Sequence, residues 1–279
     1  MNTIKNIFII LIIALPTSFL AQNGNKYGET ENEQIRCKEA LSVYKSYNKQ
    51  KNYSEAYQQW EKACDVCPDR VQESLYSHGA LFLKNEIKNA DQAGDETRKA
   101  VLIDSLMWVY DMRMELFPST TKKPKNRCGV LGRAASDFYK FNKDSAEVAF
   151  EMFKESVECL EAKSSASVLS GYYVTSFYTM KAINKIDKVA GLARKAGMLT
   201  DYLMLMEYCN TAIAVAEEAG KESDLKGYAR AKANIEKTFI AIAQCDDMVP
   251  VLQARVEAEP EHFALKKKEG EIGSSAMPH

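Results

Sequence analysis

Residues 52–68, which read NYSEAYQQWEKACDVCP, give the clearest indication of the fold. Tyr53, Ala56, Trp60 and Ala63 recur at intervals of three or four positions, so they share one face of a helix. The segment lacks the alternation of polar and apolar residues that a strand would show. It therefore predicts an amphipathic helix of alternating aromatic and small residues that ends at Pro68.

A second helix is predicted just before it, because Ala40, Val43, Tyr44 and Tyr47 fall on one face. Together the two segments resemble a tetratricopeptide repeat. In that family an Asn-Tyr or Asp-Tyr pair starts the second helix, small residues admit the neighbouring helix, a large aromatic fills the gap, and proline closes the unit. Tyr44 departs from the pattern, since a small residue is usual there. The resemblance implies an all-α solenoid of stacked antiparallel helix hairpins.

The rest of the chain continues this organisation from Gln34 onward, where helix formers dominate and glycine and proline fall between periodic apolar segments. Residues 89–95 are expected to form a polar loop, and about five helix pairs are expected in all. The predicted helices are 34–49, 53–66, 70–89, 95–116, 127–141, 143–161, 164–185, 198–219, 222–244 and 246–258, with a candidate last helix from 260.

The domain boundaries follow from composition. Residues 1–21 combine Lys5 with an apolar run, which predicts a cleaved secretory signal peptide; an uncleaved anchor is the alternative, although the run is short for a span of about 20 apolar residues. Residues 22–33 are polar and are expected to be a disordered leader. The repeat domain is expected over 34–262, followed by an irregular C-terminal tail over 263–279.

Taken whole, the order of features resembles a group of exported tetratricopeptide-type proteins of Bacteroidota. The pieces that carry this resemblance are the leader ending Leu20-Ala21-Gln22, residues 37–68, residues 99–113 and residues 245–250. The resemblance implies a scaffold in the periplasm or at the outer membrane, with secretion as the alternative. It implies no known reaction.

Charge and motifs exclude several classes of function. Lysine and arginine total 37 against 38 acidic residues, a net charge of −1, so electrostatics favour no nucleic-acid partner. We find no Gly-rich phosphate loop, no Gly-x-Ser-x-Gly elbow and no His-Glu-x-x-His motif, and the chain has three histidines. The chain is accordingly expected not to be an enzyme and to need no cofactor or metal.

Seven cysteines matter in an exported chain, because disulfides persist in oxidising compartments. In an antiparallel hairpin that turns near Asn52, Cys37 lies level with Cys64 and within a turn of Cys67. A disulfide from Cys37 to Cys67 is predicted, with Cys64 as the alternative partner. A redox role for Cys64 and Cys67 is a weaker alternative, since redox motifs of this spacing sit at a helix N-terminus and this one closes a helix.

The other cysteines are far apart in sequence. Cys159 and Cys209 are interpreted as helix-packing residues, and the pairing of Cys128, Cys159, Cys209 and Cys245 is left open.

A partner-binding surface is predicted first on the opening helix. The residues interpreted as lying off its core face are Lys38, Leu41, Lys45, Asn48 and Lys49, a basic edge for a peptide carboxylate. A solvated lysine face is the alternative interpretation. The following helix supplies no further lysine or arginine there, so a complete carboxylate clamp is not expected.

A second candidate surface contains Tyr172 and Tyr173, followed by Phe177 and Tyr178. Adjacent residues on a helix diverge by about 100°, so Tyr172 and Tyr173 are not expected to enter one interface together. One or two of the four aromatic rings are expected at the surface, where they favour partner contacts. Phe177 is assigned to the core.

These observations predict a protein-binding scaffold or assembly adaptor of the bacterial cell envelope, which presents a concave groove to a peptide or partner domain. The alternative from another class is a structural component that self-associates through its C-terminal end, after Asp246. Redox chemistry at Cys64 and Cys67 is the third hypothesis.

Overall fold

A computed structural model describes residues 26–243, and these residues form an all-helical structure without strands. Nine α-helices lie in this range, with a single 3₁₀ turn at Glu161–Lys163. The helices are α1 (Glu31–Lys49), α2 (Tyr53–Val66), α3 (Glu73–Ala93), α4 (Glu96–Leu116), α5 (Asn126–Phe141), α6 (Ala146–Leu160), α7 (Ala166–Ile186), α8 (Lys188–Glu218) and α9 (Glu222–Ile240).

Local sequence explains where several helices begin and end. Thr30 caps α1 in a capping box with Glu33, which satisfies two backbone N–H groups that the first turn leaves unpaired. Asp95 accepts a hydrogen bond from the N–H of Arg98 at the start of α4. Gly94, with φ at 68°, adopts the left-handed conformation that ends α3. These signals set the boundaries between successive helices.

Each helix packs against the next one along the chain. In the second half the odd-numbered helices also pack together, since α5 contacts α7 and α7 contacts α9. Two clusters of buried apolar side chains, one mainly from α1–α5 and one mainly from α5–α9, form the core. The odd-numbered helices of the second half therefore make a layer of their own, which carries the cleft described below.

The same interhelical contact recurs in both halves. Gly79 of α3 lies so close to the indole of Trp60 that an added Cβ would be 2.6 Å from Cε2. Gly171 of α7 lies equally close to the ring of Phe153, with 2.8 Å from an added Cβ to Cε1. In each case the aromatic residue is on the second helix of a hairpin and the glycine on the first helix of the next. In both places a small residue lets two helices approach closely around a large aromatic side chain, as the resemblance implied.

Two disulfides join the helices of a hairpin in the same way. Cys37 is bonded to Cys67, as predicted, and joins the first helix of hairpin α1–α2 to the end of its second helix. Cys128 is bonded to Cys159 and joins α5 to α6 in the same way. The sequence separations are 30 and 31 residues. The interpretation of Cys159 as a helix-packing residue was wrong, because its sulfur is part of this bridge.

A buried ion pair fixes the junction between the second and third hairpins. The guanidinium of Arg113, which is 4 % exposed, donates to Oε1 of Glu73 from Nε at 2.9 Å and from Nη2 at 2.6 Å. The side-chain amide of Asn126 donates to the same oxygen at 2.9 Å and to the carbonyl of Phe117 at 2.8 Å. These bonds tie α3 and α4 to the first residue of α5.

Three boundary predictions were wrong. The polar loop expected over 89–95 is mostly helical, because α3 continues to Ala93. The leader expected to be disordered over 22–33 includes the first turn of α1, which the Thr30 cap starts at Glu31. Helix α8 starts at Lys188 rather than near 198, since Asp187 accepts hydrogen bonds from the N–H groups of residues 189 and 190.

Other predictions fall outside the described residues. They are the signal peptide, the helices from 246 onward and the C-terminal tail. Within residues 26–243, none of the helices combines the length and apolar character needed to cross a membrane.

Candidate functional site: a cleft over helices α5, α7 and α9

An open cleft of about 660 Å³ lies where α5, α7 and α9 come together. Its walls come from the last turns of α5, the first half of α7 and the face of α9 that is turned toward α7. The ring of Phe153 from α6 forms its base. The lining side chains used below are Ser167, Ser170, Gly171, Asp224, Arg230 and Asn234. The cleft lies within the size range of ligand sites, about 300–1,000 Å³.

Small residues keep the cleft open. Helix α7 begins with Ala166, Ser167, Ser170 and Gly171 on the side that faces the cleft, and Gly227 faces them from α9. The ring of Phe153 lies directly behind Gly171, so the base of the cleft is aromatic and its walls are narrow side chains. Larger residues at these positions would fill the space between the two helices.

The position of α9 against α7 is held by a hydrogen bond. The hydroxyl of Tyr228 donates to the carbonyl of Ser164 at 3.0 Å, just before α7 begins. Desolvation by burial, with a smaller contribution from Asp224, raises the pKa of Tyr228, so this hydroxyl keeps its proton and its role as donor at neutral pH. One end of the cleft is closed by this contact.

The exposed rim carries hydrogen-bonding groups of both kinds. Asp224 supplies acceptors, Arg230 supplies donors, and the amide of Asn234 supplies both. On the opposite side the ring of Tyr139 has the ammonium of Lys143 over its face, 4.1 Å from the centroid. The arrangement suits a peptide backbone, which also alternates donors and acceptors.

The serines that line the cleft carry hydroxyl groups, which both donate and accept hydrogen bonds. These serines have no histidine beside them, because the one histidine among residues 26–243 is His78 on α3. The described residues also contain no group of three or more histidine, cysteine or acidic side chains that would hold a metal ion.

The residues predicted on the opening helix do not form one surface. Lys38 and Lys49 are exposed and Asn48 is half-buried. The ammonium of Lys45 donates to Oε1 of Gln72 at 2.9 Å, which occupies it in a contact between hairpins. Leu41 is 4 % exposed and belongs to the core, so its assignment to the partner-binding edge was wrong. Leu41 lies one helical turn from both Cys37 and Tyr44 and shares their face, which is why it is buried.

Tyr172 and Tyr173 are both buried, at 3 % and 0 % exposure, so their assignment to a partner-binding surface was wrong. They do diverge as expected, but α7 has neighbours on several sides. Tyr172 packs against Phe150 of α6 with ring centroids 5.3 Å apart. The hydroxyl of Tyr173 donates to the carbonyl of Met198 in α8 at 3.2 Å. Helix α7 contacts α5, α6, α8 and α9, so residues on most of its circumference are buried.

The exposed member of this group of aromatic residues is Tyr178, and Phe177 is half-buried against the core. The expectation that at least one ring reaches the surface is confirmed by Tyr178.

The cysteines give no support to redox chemistry. Cys67 is bonded to Cys37, so Cys64 has no partner in the Cys-x-x-Cys pair. Burial, reinforced by the charges of Asp65 and Glu61, raises the pKa of the Cys64 thiol to about 12. A redox role needs a lowered thiol pKa, because the thiolate is the reactive form.

Sequence reasoning missed the cleft residues. Their signal was present as the small residues that open α7, Ser165-Ala166-Ser167, and as Gly227 and Ala231 one turn apart on α9. These residues differ from the core pattern in being small. That α7 and α9 face each other is a property of the packing and has no counterpart in the local sequence.

Comparison of the chain with protein-family models, with curated proteins and with solved structures finds no significant match. The fold and the cleft therefore define the class of the molecule: an all-helical protein of sequentially packed helices with an open groove on one layer. The tetratricopeptide resemblance remains a prediction.

Proposed function

We propose that the protein is a protein-binding scaffold or assembly adaptor of the cell envelope, built as a solenoid of tetratricopeptide-like helix hairpins. The observation that carries the proposal is the cleft over α5, α7 and α9. Its open form, narrow side chains and mixed rim of Asp224, Arg230 and Asn234 suit a segment of polypeptide chain. The groove lies on the odd-numbered helices, the layer that lines the inner surface in helical-repeat proteins.

The recurring contacts support the repeat architecture. Trp60 against Gly79 and Phe153 against Gly171 are equivalent in helix position, and so are the two disulfides. The two bridges also support export, since disulfides persist in oxidising compartments. The proposed location is the periplasm or the outer membrane. The groove is proposed on the second half of the chain rather than on the lysines of α1.

The test is site-specific photocrosslinking in the native cells. A photoreactive residue at Ser167 or Asn234 places the probe in the cleft, and one at Val148, which is exposed on α6, serves as comparator. We expect one discrete envelope protein to be captured from both cleft positions and not from Val148. Equal capture from Val148 would count against the cleft, and capture of only the protein itself would favour self-association.

Binding should then be measured with the purified partner. Ser170→Tyr places a ring in the cleft and is expected to weaken binding by about tenfold or more, since blocking part of a binding groove costs about 1–2 kcal/mol of affinity. Ser42→Tyr makes the same chemical change at an exposed position of α1 and is the matched control. Unchanged affinity for Ser170→Tyr, with the fold intact by circular dichroism, would contradict the proposal.

A further inference from the structure

A separate pocket of about 380 Å³ lies at the start of α5. Its cationic lining consists of Lys123, Lys125 and Arg133 from α5 and the loop before it, and of Lys163 from the 3₁₀ turn after α6. No acidic residue lines it. We call this the basic pocket. It shares no lining residue with the cleft over α5, α7 and α9.

The four cations have no carboxylate partner. Across residues 26–243, none of them takes part in an ion pair. The ammonium of Lys125 donates to the carbonyl of Cys159 at 2.5 Å, which leaves its charge uncompensated. Like charges brought together in a concave site repel one another, and an anion relieves that repulsion.

Two acidic side chains near the start of α5 have other partners. Glu155 forms an ion pair with Arg127, and Glu73 accepts from Arg113 and Asn126. Both carboxylates accept hydrogen bonds from these other partners, and Glu73 also interacts electrostatically with Lys123, whose charge contributes to the lowered pKa of Glu73. Helix α5 begins at the pocket, so the positive end of its dipole adds to the same field.

We propose that the basic pocket binds a phosphate-bearing group. A phosphate carries about −1.5 to −2 charge at neutral pH and three acceptor oxygens, and it therefore matches four cations better than a single carboxylate does. Arg133 offers the planar fork that phosphate oxygens accept, and the lysines act as point charges. The group can belong to a soluble phosphate compound or to a lipid headgroup. The inference is independent of the proposed scaffold function.

The Cys128–Cys159 bridge joins the two sides of the pocket. Lys125, Arg133 and Cys128 belong to the α5 side, whereas Lys163 follows the helix that ends with Cys159 and Leu160. The bridge thus holds Lys163 opposite the other three cations. Opening the bridge is expected to weaken binding without removing a charge.

The experiment is a titration of the purified protein with pyrophosphate, by isothermal calorimetry at low and at physiological ionic strength. We expect saturable binding that weakens with salt, because the contacts are exposed charges. Arg133→Gln with Lys163→Gln removes one cation from each side and is expected to weaken binding about tenfold or more, which corresponds to about 1.4 kcal/mol.

Lys49→Gln with Lys51→Gln removes the same total charge from the exposed end of α1 and is the matched control. Equal weakening in the control would overturn the proposal, because binding would then follow net charge. Unchanged binding in the pocket variant would also overturn it, because Arg133 and Lys163 would then not contact the phosphate.

A second arm distinguishes the source of the phosphate. Vesicles with anionic phospholipid are compared with vesicles of phosphatidylcholine alone in a sedimentation assay. Binding to anionic vesicles that the pocket variant loses assigns a lipid headgroup, and binding to pyrophosphate without vesicle binding assigns a soluble compound. Binding to neither probe overturns the proposal.

The bridge provides an independent variant that leaves every cation in place. Cys128→Ser with Cys159→Ser is expected to weaken pyrophosphate binding, whereas Cys37→Ser with Cys67→Ser, the equivalent change in the first hairpin, is expected to leave it unchanged. Equal affinity in both double variants would overturn the proposal that the phosphate is held between Lys163 and the cations of α5.

Discussion

The contact between Trp60 and Gly79 allows the repeat architecture to be tested by a single methyl group. Gly79→Ala would place a Cβ 2.6 Å from Cε2 of Trp60, closer than real Cβ atoms approach other heavy atoms. The indole cannot easily retreat, because its Nε1–H donates to the carbonyl of Leu75 at 2.8 Å, one turn before Gly79 on the same helix. We therefore expect the two helices to be forced apart.

The expected change in the free energy of unfolding follows from two opposing effects. Replacing a glycine inside a helix with alanine stabilises it by about 1 kcal/mol. Forcing a methyl group into a packed core costs about 1–3 kcal/mol. Gly129 of α5 isolates the first effect, because an added Cβ there has no heavy atom within 4 Å. The difference between Gly79→Ala and Gly129→Ala is then the packing cost alone.

The assay is urea or thermal unfolding of both variants and the unaltered protein. Gly129→Ala is expected to raise the free energy of unfolding by about 1 kcal/mol, and Gly79→Ala to fall about 1–3 kcal/mol below Gly129→Ala. In a domain of this size each kcal/mol shifts the melting temperature by about 2–4 °C. Equal stabilisation by both substitutions would contradict this expectation, because it would show that α2 and α3 do not meet at Gly79.

Further predictions concern the first hairpin and its neighbours. Replacing Cys37 and Cys67 with serine is expected to lower the free energy of unfolding by about 3–4 kcal/mol, the chain-entropy value for a separation of 30 residues, as measured by denaturant titration. Glu73→Gln leaves Arg113 buried without its counter-ion and should cost about 3 kcal/mol by the same measurement. Burial raises the pKa of Glu73, but its hydrogen bonds from Arg113 and the neighbouring amide outweigh burial and lower it below 4.5. The carboxylate therefore stabilises the fold above pH 4.5 and loses this effect as the pH falls through its lowered pKa, so unfolding titrations should show a steeper acid loss in the unaltered protein than in Glu73→Gln. The Cys64 thiol, with its pKa raised to about 12, should react with iodoacetamide at neutral pH far more slowly in the folded than in the unfolded protein, as followed by mass spectrometry. Equal rates would show that the folded protein does not shield the half-buried Cys64 thiol.

Part of this architecture was predictable because its determinants are local. The helix over residues 53–66 was predicted with the bounds that the structure shows, since its periodic apolar face and its closing proline lie within one segment. The first disulfide was predictable from the geometry of an antiparallel hairpin. The same reasoning applied to Cys128 and Cys159 would have found the second bridge, because the two hairpins are equivalent.

The boundary errors also have local physical causes. The long helix α8 begins at Lys188 because the carboxylate of Asp187 caps its first turn, although Gly191 and Gly197 weaken helix propensity nearby. Residues 89–93 remain helical because Ala90 is buried in the core, which outweighs the polar composition of the segment.

The helical class, the pairing of the first two helices and the disulfide between them could be predicted from the sequence. Each of these features depends on residues within one hairpin. Which side chains are exposed could be read only from the packing of the helices. Tyr172 and Tyr173 are buried because α7 is enclosed by other helices, and the cleft exists because the small residues of α7 and α9 face each other. Exposure is set by neighbours distant in sequence, and no local pattern records where those neighbours lie.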